Sequence, residues 1–222
     1  MSTDIYDDVE QSERVRNWLS ENGSSLVIGL LAAFAAVFGW QKYMSYQEEQ
    51  QYQAAATYSV FDQQLNGEEA AAATTQLEQL QTHYAENLYT DLAALRMASK
   101  WVADGELERA SEALEQLRAS TQHAGIANIA ALRQARLAIT RDQADQALAI
   151  INGINAADDM TAALAEVRGD ALARQGRSDE ARAAYSEAIA ALGGTPRQLL
   201  ELKYQSVGGD KDDAAAEADS NS

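Results

Sequence analysis

Two histidines, His83 and His123, are the only imidazoles in a chain of 222 residues that has no cysteine. Metal ligation or nucleophilic catalysis would have to be assembled from very little. The two stand far apart in the sequence, and neither belongs to an HExxH or comparable ligand spacing. Each reads as a helix-end or surface histidine. There is no phosphate-cradling glycine loop and no nucleophile elbow, and the Gly-Gly pairs fall at Gly193, near a helix end, and at Gly208, in the C-terminal tail. Carboxylates are abundant, but in stretches such as "GELERASEALEQLR" they alternate with basic residues at the spacing of a solvated helix face. No catalytic residue, cofactor or metal site is expected, and the reading is of a protein that binds rather than reacts.

The composition says which elements would build such a surface. Alanine is the commonest residue, proline occurs once, and 46% of the chain is hydrophobic, which favours an all-α protein with a real core. A net charge of -17 disfavours nucleic acid, because a like-charged surface would have to approach the phosphates. The absence of cysteine fits any redox compartment.

From Leu26 to Trp40 every residue is apolar or glycine, and the uncharged flanks from Asn22 to Gln41 extend the run to about the 20 residues that cross a bilayer. Its large apolar residues favour insertion by roughly 2 to 5 kcal/mol in sum. A soluble core helix would need covering on every side. A cleaved signal would need a basic start, whereas this one is acidic, and its small-x-small triplet at Ala33 to Ala35 lies inside the apolar run. Trp40, Lys42 and Tyr43 close the run with residues suited to a membrane interface. The reading is an uncleaved anchor. Arg14 and Arg16 precede it and Lys42 alone follows it before Arg96, which favours the N-terminus inside. Gly29, Ala33, Ala36 and Gly39 are small residues at helical spacing, suited to close approach of another membrane helix.

Beyond the anchor, helical patterning runs to a stop at Asn66-Gly67 and predicts a stalk. Shorter helical segments follow, separated by turn signals at Gly105, Arg141-Asp142, Gly176 and Gly193 to Pro196, with Thr195-Pro196 read as the start of the last helix. These segments repeat. Gly105, Asp142 and Gly176 form one column, 37 and 34 residues apart. Ala110, Ala147 and Ala181 stand five residues later; Ala98, Ala135 and Gly169 stand seven before; Ala94, Ala131 and Ala165 eleven before. A large residue, Leu114, Ile151 or Tyr185, stands nine after. Small side chains let antiparallel helices cross closely, and a large one fills the space beside the crossing. A period near 34 with this pattern resembles the tetratricopeptide repeat, with three repeats over 91–192 and a weaker one before them. The repeat's first-helix aromatic appears as Trp101 and is replaced by Ala138 and Leu172. From Gly208 the chain is acidic and has no large apolar residue, which predicts a disordered tail.

Three stretches, "VRNWLSENGSSLVIGL" closed by "FGWQKY", "LAALRMASKWVADGELERASEALEQL" and "VRGDALARQGRSDEARAAYSEAI", resemble the YfgM family of ancillary subunits of the bacterial Sec translocon, over residues 9 to about 206. The resemblance implies a bacterial inner-membrane protein with one signal anchor, a cytoplasmic N-terminus and a tetratricopeptide-like periplasmic domain. It also implies association with the SecYEG channel and the periplasmic chaperone PpiD, in the handling of newly exported polypeptides. A role in restraining an envelope stress regulator is implied as an alternative, in which the N-terminal segment holds a cytoplasmic response regulator. The acidic tail does not match the family pattern. The expected fold is thus all-α, a single transmembrane helix followed by a tetratricopeptide-repeat-like α-solenoid. Its expected parts are a cytoplasmic segment over 1–21, the anchor over 22–43, a stalk over 44–66, the repeat domain over 67–206 and the tail over 207–222.

In such arrays the first helix of each repeat lines a groove. The register places Leu92, Leu95 and Val102 there from one repeat, with Ile129, Leu132, Arg136 and Ile139 from the next. The third offers Ala163, Glu166, Asp170 and Arg174, so the groove is expected to run from apolar to charged and to suit an amphipathic helix or an unfolded apolar segment. The alternative is that these aliphatic residues pack against neighbouring helices.

Overall fold

A computed structural model describes residues 4–67, 70–155, 160–193, 195 and 197–209. Among these, every regular element is helical and there is no strand. Two compact units are present, residues 1–53 and 54–222. The first holds most of α1 (Asp4–Asn66). Within it, Val27, Ile28, Leu30, Leu31, Phe34, Val37, Phe38 and Trp40 are all exposed, on every side of the helix. This is the stretch, among the described residues, that is long and apolar enough to cross a membrane. Phe34 stacks on Phe38 and Trp40 is tilted against Tyr43, with ring centroids 6.2 and 6.3 Å apart. Gly29 and Gly39 have open space where a Cβ would stand, and Ala33 and Ala36 are exposed.

The second unit begins inside the expected stalk. Ala54, Phe61 and Leu65 of α1 are buried at 0, 0 and 8% exposure, in one core with Leu77 and Leu80 of α2 (Ala70–His83) and Ala94 and Met97 of α3 (Leu88–Ala103). Arg96 is ion-paired with Asp62 and donates to Asn66 Oδ1 at 3.0 Å. The compact unit thus begins at residue 54 rather than at the expected 67, and residues 54–66 share one core with α2 and α3. The pairs that follow are α3 with α4 (Leu107–Ser120), α5 (Ala124–Thr140) with α6 (Ala144–Asn152), and α7 (Thr161–Arg174) with α8 (Ser178–Ala191).

The turn column joins each of these three pairs in the same way. Gly105, Asp142 and Gly176 have φ of 81, 60 and 74°, and Asp142 is the non-glycine residue with positive φ among those described. In each turn the next backbone N–H reaches back to the helix: Glu106 to Trp101 O at 2.8 Å, Gln143 to Ala138 O at 2.8 Å, Arg177 to Leu172 O at 3.0 Å. This is the Schellman closure, which satisfies a helix-end carbonyl and needs a left-handed residue. Trp101, Ala138 and Leu172 thus share one backbone role despite unlike side chains, and the Arg109 guanidinium lies 4.4 Å from the Trp101 ring centre.

All the small-residue columns are inside. Ala110, Ala147 and Ala181 are fully buried, as are Ala135, Ala98 and Ala165 within 2%. A Cβ on Gly169 would stand 2.5 Å from the Tyr185 ring, so α7 and α8 meet there without room for a methyl group. The last helix, α9 (Gln198–Ser206), buries Leu200 and Tyr204 against α7 and α8. Its cap is Arg197 rather than the expected Thr195, while Gly194 and Pro196 lie outside the described residues. Val207 to Gly209, expected as tail, end α9 through a Gly209 N–H to Tyr204 O bond of 3.0 Å with Gly208 at φ 87°. The rest of the expected tail, 210–222, lies outside the described residues.

Candidate protein-interaction groove

The first helices of the repeats, α3, α5 and α7, carry the residues expected in the groove, and packing sorts them. Each of these helices is covered both by its own pair partner and by the neighbouring repeat, so only a narrow stripe stays open. Leu95 and Leu132, at 5 and 7% exposure, belong to the cores instead of the groove surface. Val102 and Ile129 are exposed at 43 and 37%, Arg136 is exposed, and Leu92 and Ile139 are half-buried.

Two cavities occupy this face. The first, about 290 Å³, lies between α3 and α5, with Val102, Ala98, Leu114 and Leu137 as apolar wall and Ser99, Arg133, Arg136 and Thr140 as polar edge. The second, about 670 Å³, lies between α5 and α7 and is lined by Ile139, Ala173, Asp170, Arg174, Tyr185 and Lys203. Arg136 and Thr140 border both. Val102, Arg136 and Ile139 are thus brought together, whereas Leu92 and Ile129, nearer the N-terminal ends of their helices, line neither cavity. Sequence reasoning missed Ser99, Arg133 and Thr140. The signal was available, since Arg133 stands three residues before Arg136 and Thr140 four after it on one helix face.

Arg133 is held by α3, donating through NH1 to Leu95 O at 3.1 Å and Ser99 Oγ at 3.0 Å. At the α7 end the charges close on one another. Glu166, with its side chain 6% exposed, accepts from Lys203 Nζ at 2.8 Å and from Arg197 NH1 at 3.2 Å. Lys203 also donates to Asp170 Oδ2 at 2.8 Å, and the Tyr185 hydroxyl donates to Asp170 Oδ1 at 2.8 Å. Burial pushes the Glu166 carboxyl up, but the Lys203 hydrogen bond and the charges of Lys203, Arg197 and Arg136 more than offset it and hold the group below its ordinary range. Burial pulls the Lys203 ammonium down, and its bonds to Asp170 and Glu166 bring it above the ordinary lysine value. Burial and the bond to Asp170 raise the Tyr185 phenol. Glu166, Asp170, Lys203 and Arg197 fasten α9 to α7.

Both histidines make local contacts at helix ends in this arrangement. His123 Nδ1 lies 2.8 Å from Oδ2 of the buried Asp91, which also accepts from the Thr121 hydroxyl, and His123 N–H donates to Thr121 Oγ1 at 3.1 Å. This ties the start of α3 to the α4–α5 connection. His83 ends α2, its ring 6.3 Å from that of Tyr84. Among the described residues no three His, Asp or Glu side chains group as a metal site would require.

Comparison with known proteins agrees with this architecture. The chain is 29% identical to the ancillary SecYEG translocon subunit of Escherichia coli (strain K12), over 84% of this chain and 89% of that one. It is 25% identical to the protein of the same name from Aggregatibacter actinomycetemcomitans, over 87% and 94% of the two chains. These relatives bear out the resemblance to the YfgM family. In fold, the chain is similar to MamA of Desulfovibrio magneticus RS-1, with a TM-score of 0.56 at 15% identity over 75% of this chain and 89% of that one. A family model described as a tetratricopeptide repeat-like domain matches residues 16–209, from before the apolar run through the end of α9, and the chain belongs to that family.

Proposed function

We propose that this protein is a non-catalytic, membrane-anchored interaction subunit of the Sec translocon. Its N-terminus lies in the cytoplasm and its repeat unit on the periplasmic side of the bacterial inner membrane, where it brings a periplasmic chaperone of the PpiD type to newly exported polypeptides. The observation that carries this reading is the similarity to proteins named ancillary SecYEG translocon subunit over most of both chains. The apolar stretch of α1, exposed on all sides, supports the anchor, and the groove on α3, α5 and α7 supports protein binding by the repeat unit.

Orientation tests the reading, because a repeat unit in the cytoplasm would never meet a periplasmic chaperone. The distribution of basic residues, Arg14 and Arg16 before the run and Lys42 after it, favours the N-terminus inside. An alkaline phosphatase fused after Val207, active only in the periplasm, is expected to be active. A stable but inactive fusion reverses the orientation and removes the chaperone reading.

A further inference from the structure

Basic side chains are scarce in this acidic chain, and most of those in the repeat unit already have a carboxylate. Arg96, Lys100, Arg109, Arg141, Arg168, Arg174, Arg177, Arg182, Arg197 and Lys203 all do. Among the described residues, Arg118, Arg133 and Arg136 have no carboxylate within ion-pair distance, and the last two face the same cavity between α3 and α5. Arg118 lines a different one, of about 570 Å³, against α5 and α6. Arg136 is exposed, makes no side-chain hydrogen bond to a described residue, and stands where the two groove cavities meet. The nearby Glu166 acts on it through space only, since that carboxylate is bonded to Lys203 and Arg197.

We infer that the α3–α5 cavity is a docking site for a segment of a partner polypeptide that presents one carboxylate, flanked by aliphatic side chains, to Arg136 and Arg133. This rests on the proposed interaction role and names the chemistry of what is bound. The aliphatic residues lie on Val102, the exposed part of a wall whose floor is the buried Ala98 and Leu137, and the carboxylate meets guanidinium groups of which one, Arg133, is already fixed by its bonds to Leu95 O and Ser99 Oγ. Guanidinium forks bind carboxylates with charge-assisted hydrogen bonds, about twice as strong as neutral ones. The charged α7 end offers no such place, because Glu166 and Asp170 are matched there by Lys203 and Arg197.

The same electrostatics excludes a polyacidic occupant. A net charge of -17 repels a run of carboxylates at long range, whereas a single one close to Arg136 gains locally. The chain's own residues 210–222 are strongly acidic and contain no large apolar side chain, so they match the cation but not the apolar wall.

The test uses the full chain in mild detergent and two fluorescent peptides, one with a single Glu among Leu and Ala residues and a twin with Gln in its place, followed by anisotropy. The Glu peptide is expected to bind about tenfold more tightly than its twin. Arg136→Gln is expected to remove that difference while leaving the twin's affinity and the melting temperature unchanged, and Arg118→Gln to alter neither peptide. A peptide of residues 210–222 is expected not to displace the probe. Equal binding of the twins, full retention of the difference by Arg136→Gln, displacement by the tail peptide, or no binding at all would overturn the assignment. The periplasmic reporter is indifferent to Arg136, so failure here with an active reporter removes the groove assignment alone.

Discussion

Replacing Gly169 by Val should destabilise the repeat unit by about 3 kcal/mol, and replacing it by Ala by about 1 kcal/mol, in chemical denaturation of the full chain. Alanine is normally worth about 1 kcal/mol over glycine inside a helix, so a loss has to come from the contact. A Cβ at Gly169 would stand 2.5 Å from two carbons of the Tyr185 ring. That ring is 3% exposed and its hydroxyl is bonded to Asp170, so it has nowhere to swing without leaving the bond and the core. The other repeats carry Ala98 and Ala135 at this column, facing Leu114 and Ile151. Tyr185→Leu in the Gly169→Ala background should recover part of the loss, because the double change restores the combination the other repeats use. A Gly169→Ala chain at least as stable as the parent would mean that α7 and α8 are not packed through this position.

The second large effect is expected at Lys203. Its replacement by Met leaves Glu166 buried with Arg197 alone and Asp170 with only the Tyr185 hydroxyl. Removing one partner of a fully buried pair costs about 3 to 5 kcal/mol. Lys203 is a quarter exposed and Arg197 remains at 3.2 Å, so about 2 kcal/mol is expected here. The pH dependence carries the signature. Glu166 is held below its ordinary value of 4.5, so its contribution is present above that range and is lost as the pH falls through the lower folded value. Lys203 is raised above 10.5, so its contribution is present below that value and lost as the pH rises through the higher folded one. The stability gap between parent and Lys203→Met should therefore be full near neutral pH and shrink as the pH falls below the ordinary value of 4.5 and on through the lower folded one. A gap independent of pH would show that Lys203 acts through packing of its stem alone.

The repeat register was legible because it is written in residues with little freedom. A left-handed turn demands Gly or a tolerant residue such as Asp142, and a close crossing demands Gly or Ala, so both constraints leave columns that survive changes elsewhere. What the columns could not show was which face of the first helices stays open. Leu95 and Leu132 look like groove residues on a single helix wheel, but each lies beneath the helix of an adjoining repeat. Ala54, Phe61 and Leu65 were obscured differently, spaced seven and four apart along one helical stripe in a stretch that also carries Ala55, Ala56, Tyr58 and Val60. Glu166 and Asp170 read as open charges because the register ended at α8, and only the tertiary position of α9 brings Lys203 and Arg197 onto them.

The claim on which the functional reading stands is association with the export channel. Full-length protein carrying an affinity tag, isolated from native membranes in mild detergent and analysed by mass spectrometry, should recover the SecYEG subunits together with a periplasmic chaperone. An anchor-only chain ending at Gln53 should lose the chaperone. Recovery of neither channel nor chaperone with the intact, folded protein would contradict the account.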